Sequence, residues 1–186
     1  MTFLRCTAKL LKRLKQPSKP PEPEPQGNPL GEWYADLDFW NRKRYVILLN
    51  GATGATLTLN GNAAGLRTLH EQALMQFASL CGYFGMDSPL VDDEMDSFHE
   101  GFTFAATRDR SLLGSLNDRK QSAWVGFEHQ DFSLVETSLR EWNGFYKHPS
   151  LKTGGRYQPD WHRPLDLLRE RLMPAGAILP LNATKH

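Results

Sequence analysis

The fold is decided by the stretch GFTFAATRDRSLLGSLNDRK (residues 101–120), in which a strand runs directly into a helix. Its first half alternates side chains between two faces, which predicts a short strand over residues 102–106. Its second half carries leucines at helical spacing, which predicts an amphipathic helix. The junction is densely polar, because Thr107, Arg108, Asp109, Arg110 and Ser111 follow one another. Such a junction can be a set of helix caps, or it can be a binding site.

The composition is that of a folded domain. Of the 186 residues, 40% are hydrophobic and 23% are charged, and no window approaches the length of a membrane span. A formal net charge of +1 argues against a strongly electrostatic nucleic-acid binder, but the charge is uneven. Residues 5–19 contain six cations and no acid, whereas residues 87–100 contain six acids and no lysine or arginine.

The two cysteines, Cys6 and Cys81, form neither a disulfide framework nor a CxxC motif. This pattern favours a reduced, cytoplasmic setting. The N-terminus lacks the apolar core and cleavage site of a signal peptide. We therefore expect a cytoplasmic protein that does not associate with membranes.

The N-terminal half predicts a strand, a helix, a connector and a meander. Residues 2–6 can form a strand, and Thr7 can cap a short helix after it. Residues 17–29 form an extended connector, because proline excludes helix and central strand. Strands are predicted at residues 32–40, 44–50 and 55–59, and turns at Asn41-Arg42-Lys43 and Asn50-Gly51 join them into a meander.

The C-terminal half adds helices. A long helix is predicted over residues 66–83, and another begins at Ser88-Pro89, with its acids facing water. Residues 133–136 match a capping box at the start of a helix, residues 145–159 read as a loop, and a last helix begins near Pro164.

The predicted fold class is α+β, a single domain with a mainly antiparallel sheet and helices packed on it. Its parts are an N-terminal strand and helix (1–16), the proline-rich connector (17–29), a core that packs with the first part (30–173) and a tail (174–186).

Standard catalytic and metal-binding spacings are absent from the sequence. There is no P-loop, GxGxxG, HExxH or GxSxG motif, so we expect no metal and no cofactor, and no catalytic residue can be assigned. The acids of residues 92–96 could hold a hard cation, but on a short helix they point in several directions and fit a solvated face.

Two strand-to-helix junctions resemble each other chemically, since each places hydroxyl and cationic side chains beside a helix N-terminus. Free backbone N–H groups and the helix dipole favour an anion there, and arginine grips phosphate or carboxylate at two points. We therefore predict an anion-binding pocket, provided that the two strands run parallel. Its residues are Arg5, Thr7, Lys9, Thr107, Arg108, Arg110, Ser111 and Asn117.

The alternative is that Thr7, Asp109 and Ser111 are caps and that the arginines pair with neighbouring aspartates. Gly114 favours a binding site over simple capping, because glycine inside a helix costs about 1 kcal/mol relative to alanine and needs a reason. Close approach of backbone or ligand would explain it.

Three segments carry a family resemblance: LRCTAKLLKRL (4–14), LGEWYADLDFWNRKRYVILLNGAT (30–53) and FAATRDRSLLGSLND (104–118). They resemble an uncharacterised bacterial family, a domain of unknown function, whose members occur alone or fused ahead of a plasmid-encoded domain. The family pattern is RCTxKLL, then WxA with an arginine-rich hairpin and NxxT, then RSxxGSxND. The resemblance implies membership and no activity, and the proline-rich connector departs from it.

Two functions remain open. We expect a non-enzymatic binding protein, accessory to a mobile element or part of a toxin–antitoxin-like pair, because the standard catalytic spacings are missing. Its partner would be a protein or a nucleic acid. The alternative is a nuclease or another phosphoester-processing enzyme that uses the same polar residues.

Overall fold

The computed structural model describes residues 1–22, Glu24, residues 27–147 and residues 161–174. This part of the chain forms an α+β fold with a five-stranded sheet and a small two-stranded sheet. The strands are β1 (Thr2–Cys6), β2 (Trp33–Trp40), β3 (Lys43–Asn50), β4 (Thr56–Asn60), β5 (Phe102–Ala106), β6 (Tyr146–Lys147) and β7 (Trp161–His162). The helices are α1 (Ala8–Arg13), α2 (Ala63–Arg67), α3 (Leu69–Tyr83), α4 (Pro89–His99), α5 (Arg110–His129), α6 (Leu134–Asn143) and α7 (Pro164–Leu172).

The large sheet is mixed, with two antiparallel and two parallel strand pairs, so the predicted antiparallel pairing holds for only part of it. Its strand order is β4-β3-β2-β1-β5. The predicted meander forms two antiparallel pairs, whereas β1 lies between β2 and β5 and runs parallel to both. The reason is that β1 reaches β2 through α1 and the connector, and such a crossover joins parallel strands. Tight-turn signals reveal hairpins, but they do not reveal which strands a crossover brings together.

Both faces of the sheet are covered. One face packs Leu4, Trp33 and Leu48 against α3, α4 and the other helices on that side, with Phe77 and Phe98 at the centre. The other face packs Tyr34, Tyr45, Ile47 and Leu49 against α5. Side chains on β2 alternate between the two cores, as the predicted strand pattern requires.

At the edge strand β4, backbone groups that face away from the sheet bond to side chains instead of to another strand. The backbone N–H of Thr58 donates to Gln76 and Ser138, and the Thr58 carbonyl accepts from Gln76 Nε2 at 2.9 Å. The indole of Trp142 donates to the Thr56 carbonyl at 2.8 Å. These bonds satisfy an edge that would otherwise be free to pair with another chain.

Most local helix signals are confirmed. Ser88 caps α4 with proline at its start, and Ser133 and Glu136 form the predicted capping box of α6. The predicted helix over residues 66–83 is divided at Thr68 into α2 and α3. None of the described helices is both long and apolar enough to cross a bilayer.

Two predictions concern regions that are only partly described. The predicted loop over residues 145–159 begins with β6, which pairs with β7, and its residues 148–159 lie outside the described chain. The predicted tail lies outside it from residue 175 onward.

The solvated acidic face predicted for α4 is wrong at one residue. Asp92, Asp93 and Asp96 are exposed, but Glu94 is fully buried. Its carboxylate accepts hydrogen bonds from Leu30 N at 2.9 Å and Trp33 Nε1 at 3.0 Å, and Asn28 Nδ2 donates to both of its oxygens. Glu94 therefore ties the end of the connector to the core.

Candidate functional site

The two junctions singled out in the sequence lie at the same edge of the sheet. Strand β1 runs parallel to β5, and the last residues of the two strands, Cys6 and Ala106, are register partners. The condition set for the predicted pocket, parallel strands, is therefore met. It places the residues after β1 and those after β5 beside each other.

The centre of this edge is Arg5, whose side chain on β1 is only 1% exposed. Its guanidinium makes a two-point contact with Glu32, with Nε to Oε2 and Nη2 to Oε1 both at 2.7 Å. A further bond runs from Nη1 to the Ala106 carbonyl at 3.1 Å. These contacts join β1 to its two neighbours and fix the plane of the guanidinium.

Arg108 approaches the same carboxylates from the solvent side. Its Nη2 donates to Glu32 Oε1 at 2.8 Å and its Nη1 to Glu22 Oε1 at 3.1 Å. Glu22, from the proline-rich connector, also accepts from both terminal nitrogens of Arg5. Two cations and two carboxylates thus form one closed network, which we call the Arg5–Arg108 cluster.

The electrostatics of the cluster favour its charged forms. The hydrogen bond from Arg5 holds the pKa of the Glu22 carboxyl below its usual range, although burial opposes it. The hydrogen bond to Glu32 raises the pKa of Arg5. Burial raises the pKa of Tyr34, which lies on the same face of the sheet, and the charge of Glu32 adds to this effect.

The hydroxyl and amine predicted at the first junction are used locally. Thr7 donates to Asp36 and caps α1 by accepting from the backbone N–H of Leu10 at 3.4 Å. Lys9 is half exposed and lies 3.7 Å from a carboxylate oxygen of Asp38. Neither contacts the Arg5–Arg108 cluster.

The side chains at the second junction, after β5, also make local contacts or none. Asp109 caps α5 and accepts from the Ser111 hydroxyl at 2.6 Å, an interaction that lowers the pKa of Asp109. Arg110 and Asn117 are exposed on α5 and have no hydrogen bond or ion pair to any described residue. The partly buried Thr107 likewise has no side-chain partner there. Of the eight predicted residues, only Arg5 and Arg108 bind the same side chains, the carboxylates of Glu22 and Glu32.

Two members of the cluster were missed from the sequence. Glu32 could have been found, because it lies two residues before Tyr34 in the predicted strand over residues 32–40 and so points to the same face of the sheet. Glu22 carries no such signal, since an extended connector does not encode what it contacts. Among the described residues no group of three or more histidines, cysteines or acids is arranged to hold a metal ion.

Gly114 has no close neighbour that would explain a glycine. A Cβ built there meets nothing within 4 Å in the described chain. The residue is exposed to solvent and lies within α5, away from its last turns. We therefore expect Gly114→Ala to raise the free energy of unfolding by up to about 1 kcal/mol, because alanine is the better helix former. Urea denaturation measures this change. A loss of stability would show that something else packs against this position.

Comparison with known families agrees with the motifs. A family model described as Domain of unknown function (DUF6933) matches residues 3–156. The chain belongs to this family. The match includes all three motif segments and extends beyond them to residue 156, further than the motifs alone indicated. The Arg5–Arg108 cluster lies wholly inside the matched region.

Searches of the curated proteins and of the solved structures found no significant match.

Proposed function

We propose that this is a binding protein that holds an anionic group, a carboxylate or a phosphate, between Arg5 and Arg108 in the place of Glu22. The observation that supports this is the convergence of two arginines on one exposed carboxylate of the connector. Three N–H groups, two from Arg5 and one from Arg108, are directed at that carboxylate. The planar guanidinium fork matches carboxylate and phosphate equally well.

The charge of the cluster supports an exchangeable anion. With Glu22 in place, two cations face two carboxylates and the cluster is neutral. Without Glu22, Arg5 and Arg108 retain only Glu32, and one positive charge is left uncompensated beside a buried guanidinium. An incoming anion would restore the balance, which is the electrostatic condition for specific binding.

The two carboxylates are held very differently. Glu32 lies next to β2, makes the two-point contact with Arg5 and has a side chain that is 25% exposed. The side chain of Glu22 is 60% exposed and comes from the connector. Ion pairs of exposed side chains are weak because water screens them. Glu22 is therefore the group that a ligand would displace.

The wider role that we propose is accessory to a mobile element or to a toxin–antitoxin-like pair, with the anion carried by a partner protein or a nucleic acid. Phosphoester processing at the same residues is the alternative. It would require turnover of a bound phosphoester and not binding alone, so release of product from an added phosphodiester, which a binding protein would leave intact, distinguishes the two.

Titration with inorganic phosphate, followed by the amide NMR shifts of the labelled protein, tests the site directly. We expect Glu22→Ala to bind phosphate about tenfold more tightly than the unmodified protein, because the internal competitor is gone. Adding Arg108→Ala to that variant should remove the gain, since one of the two cations is lost.

Glu24→Ala is the matched control. Glu24 is an exposed carboxylate of the same connector and makes no ion pair within the described chain. Its removal should leave phosphate binding unchanged. If Glu22→Ala and Glu24→Ala bind phosphate equally, the cluster is a structural ion-pair network and the proposal is wrong. The same follows if adding Arg108→Ala to the Glu22→Ala variant leaves its phosphate affinity unchanged.

A further inference from the structure

The β2–β3 hairpin ends in an exposed tip that combines aromatic rings with positive charge. The tip is FWNRKR, residues 39–44. Its two turn residues, Asn41 and Arg42, have φ values of 43° and 63°, so the chain reverses within two residues. Phe39 is 65% exposed, and Arg42, Lys43 and Arg44 are all exposed. The three cations make no ion pair or side-chain hydrogen bond with any described residue.

A cavity of about 790 Å³ opens beside the tip on the face covered by α5. Its lining is aromatic, with Trp40, Tyr45, Phe127 and Phe132. The ring centroids of Trp40 and Phe127 are 5.5 Å apart, and a hydrogen bond from the Trp40 indole to Glu128 fixes the ring. Arg42, Lys43 and Arg44 also line this cavity, and none of the described residues that line it is acidic.

A second cavity, of about 640 Å³, lies on the opposite face of the sheet and shares Arg44 with the first. Arg13, Lys15 and Arg67 line it, and they too make no ion pair with any described residue. Phe102 and Phe104 are also part of its lining. Among its described lining residues the one acid is Glu100, which pairs with the N-terminal amine. The surface around Arg44 therefore has six cations without described ion-pair partners.

We propose that the hairpin tip and its two flanking cavities bind single-stranded nucleic acid. Phosphates supply negative charge opposite six cations that have no ion-pair partner among the described residues, and bases supply flat rings that can stack on the exposed Phe39 and the part-exposed Trp40. Each cavity is within the 300–1,000 Å³ range of sites that enclose small ligands, so an unstacked base fits. The bases of a duplex are stacked inside it and cannot enter such cavities.

An acidic peptide is the competing occupant, and the aromatic lining argues against it. Glutamate and aspartate side chains would satisfy the arginines but would not stack on the exposed Phe39 ring or on the part-exposed rings of Trp40 and Phe132. The net charge of +1 does not oppose a nucleic acid, because the acids are segregated elsewhere, with Asp92, Asp93 and Asp96 exposed on α4.

Fluorescence anisotropy with labelled 12-nucleotide oligo-U and oligo-dT tests the proposal on the full chain. We expect binding that weakens about tenfold or more between 50 and 200 mM salt, as three or more phosphate contacts require. The triple variant Arg42→Asn, Lys43→Gln, Arg44→Gln should lose at least tenfold in affinity at 50 mM salt. Asparagine at position 42 tolerates the left-handed backbone.

The control for charge is a triple variant of exposed cations that line neither cavity, Lys19→Gln, Lys147→Gln, Arg171→Gln. It removes the same charge and should change the affinity by less than about threefold. Equal losses in the two triple variants would show attraction by net charge alone and would overturn the proposal.

The control for stacking uses two exposed phenylalanines. Phe39→Leu, within the tip, should weaken binding several-fold, whereas Phe145→Leu, at a residue that is 69% exposed but is not part of the tip, should not. A duplex of the same sequence or a poly-glutamate peptide that binds as tightly as the single strand would also overturn the proposal. Arg108→Ala leaves the tip intact, so a loss of affinity in the tip variant but not in Arg108→Ala separates this surface from the Arg5–Arg108 cluster. A loss in Arg108→Ala alone would place the nucleic acid at that cluster and would overturn the proposal.

Discussion

Replacing Glu141 with alanine is expected to lower the free energy of unfolding by about 3–5 kcal/mol, because it leaves a buried arginine without its counter-charge. Arg119 on α5 is 7% exposed and Glu141 on α6 is 3% exposed. The two side chains form an ion pair, and Ser122 donates a second hydrogen bond to Glu141. The guanidinium also lies 4.4 Å from the centre of the Tyr146 ring. Urea denaturation followed by far-UV circular dichroism measures the loss.

Two further variants separate the mechanism from general damage to α5. Asp118→Ala removes an exposed acid one residue before Arg119 and should change stability by less than about 0.5 kcal/mol. The double variant Arg119→Met, Glu141→Leu should recover most of the loss, because apolar residues of similar size often replace a buried ion pair at little cost. A single Glu141→Ala variant as stable as the unmodified protein would show that the pair does not hold α5 to α6.

Local signals allowed most elements to be predicted from the sequence. Alternation over residues 32–40 and the capping box at Ser133 involve neighbours within a few residues, and both are confirmed. The position of β1 between β2 and β5 depends on contacts with residues about 30 and 100 positions away, which periodicity does not encode. The burial of Glu94 could not be predicted for the same reason. Its neighbours in the sequence are exposed acids, whereas the residues that bond to it lie about 60 positions away.

The candidate site could also be predicted only in part, because some of its residues share a local sequence pattern and others do not. Arg5 and Arg108 could be named together because the two strand ends are chemically alike. Thr7 and Ser111 were named for the same likeness, yet each is used by its own helix start. The carboxylates that complete the cluster, Glu22 and Glu32, belong to segments with different sequence patterns. A shared chemistry at two strand ends therefore predicts proximity better than it predicts which side chains take part.

Glu94→Ala is expected to lower the free energy of unfolding by about 2–5 kcal/mol, because two buried N–H groups lose their acceptor. These are the backbone N–H of Leu30 and the indole N–H of Trp33, whose residues are 1% and 0% exposed. Asp93→Ala, at the exposed neighbour on α4, is the matched control and should change stability by less than about 0.5 kcal/mol. Urea denaturation of both variants at pH 7 makes the comparison.

The pH dependence of Glu94 has a definite sign. Burial raises the pKa of its carboxyl, and the hydrogen bonds from Leu30, Trp33 and Asn28 only partly oppose that effect. As the pH rises above about 4.3, the usual value for glutamate, the unfolded chain therefore loses this proton before the folded chain does. Stability from this residue is greatest below that pH, falls until the folded pKa is passed and is constant above it. Glu94→Gln cannot titrate, so the stability difference between the unmodified protein and this variant should shrink from pH 4.5 to pH 8. A difference that grows over that range would mean that the converging donors, and not burial, control the carboxylate.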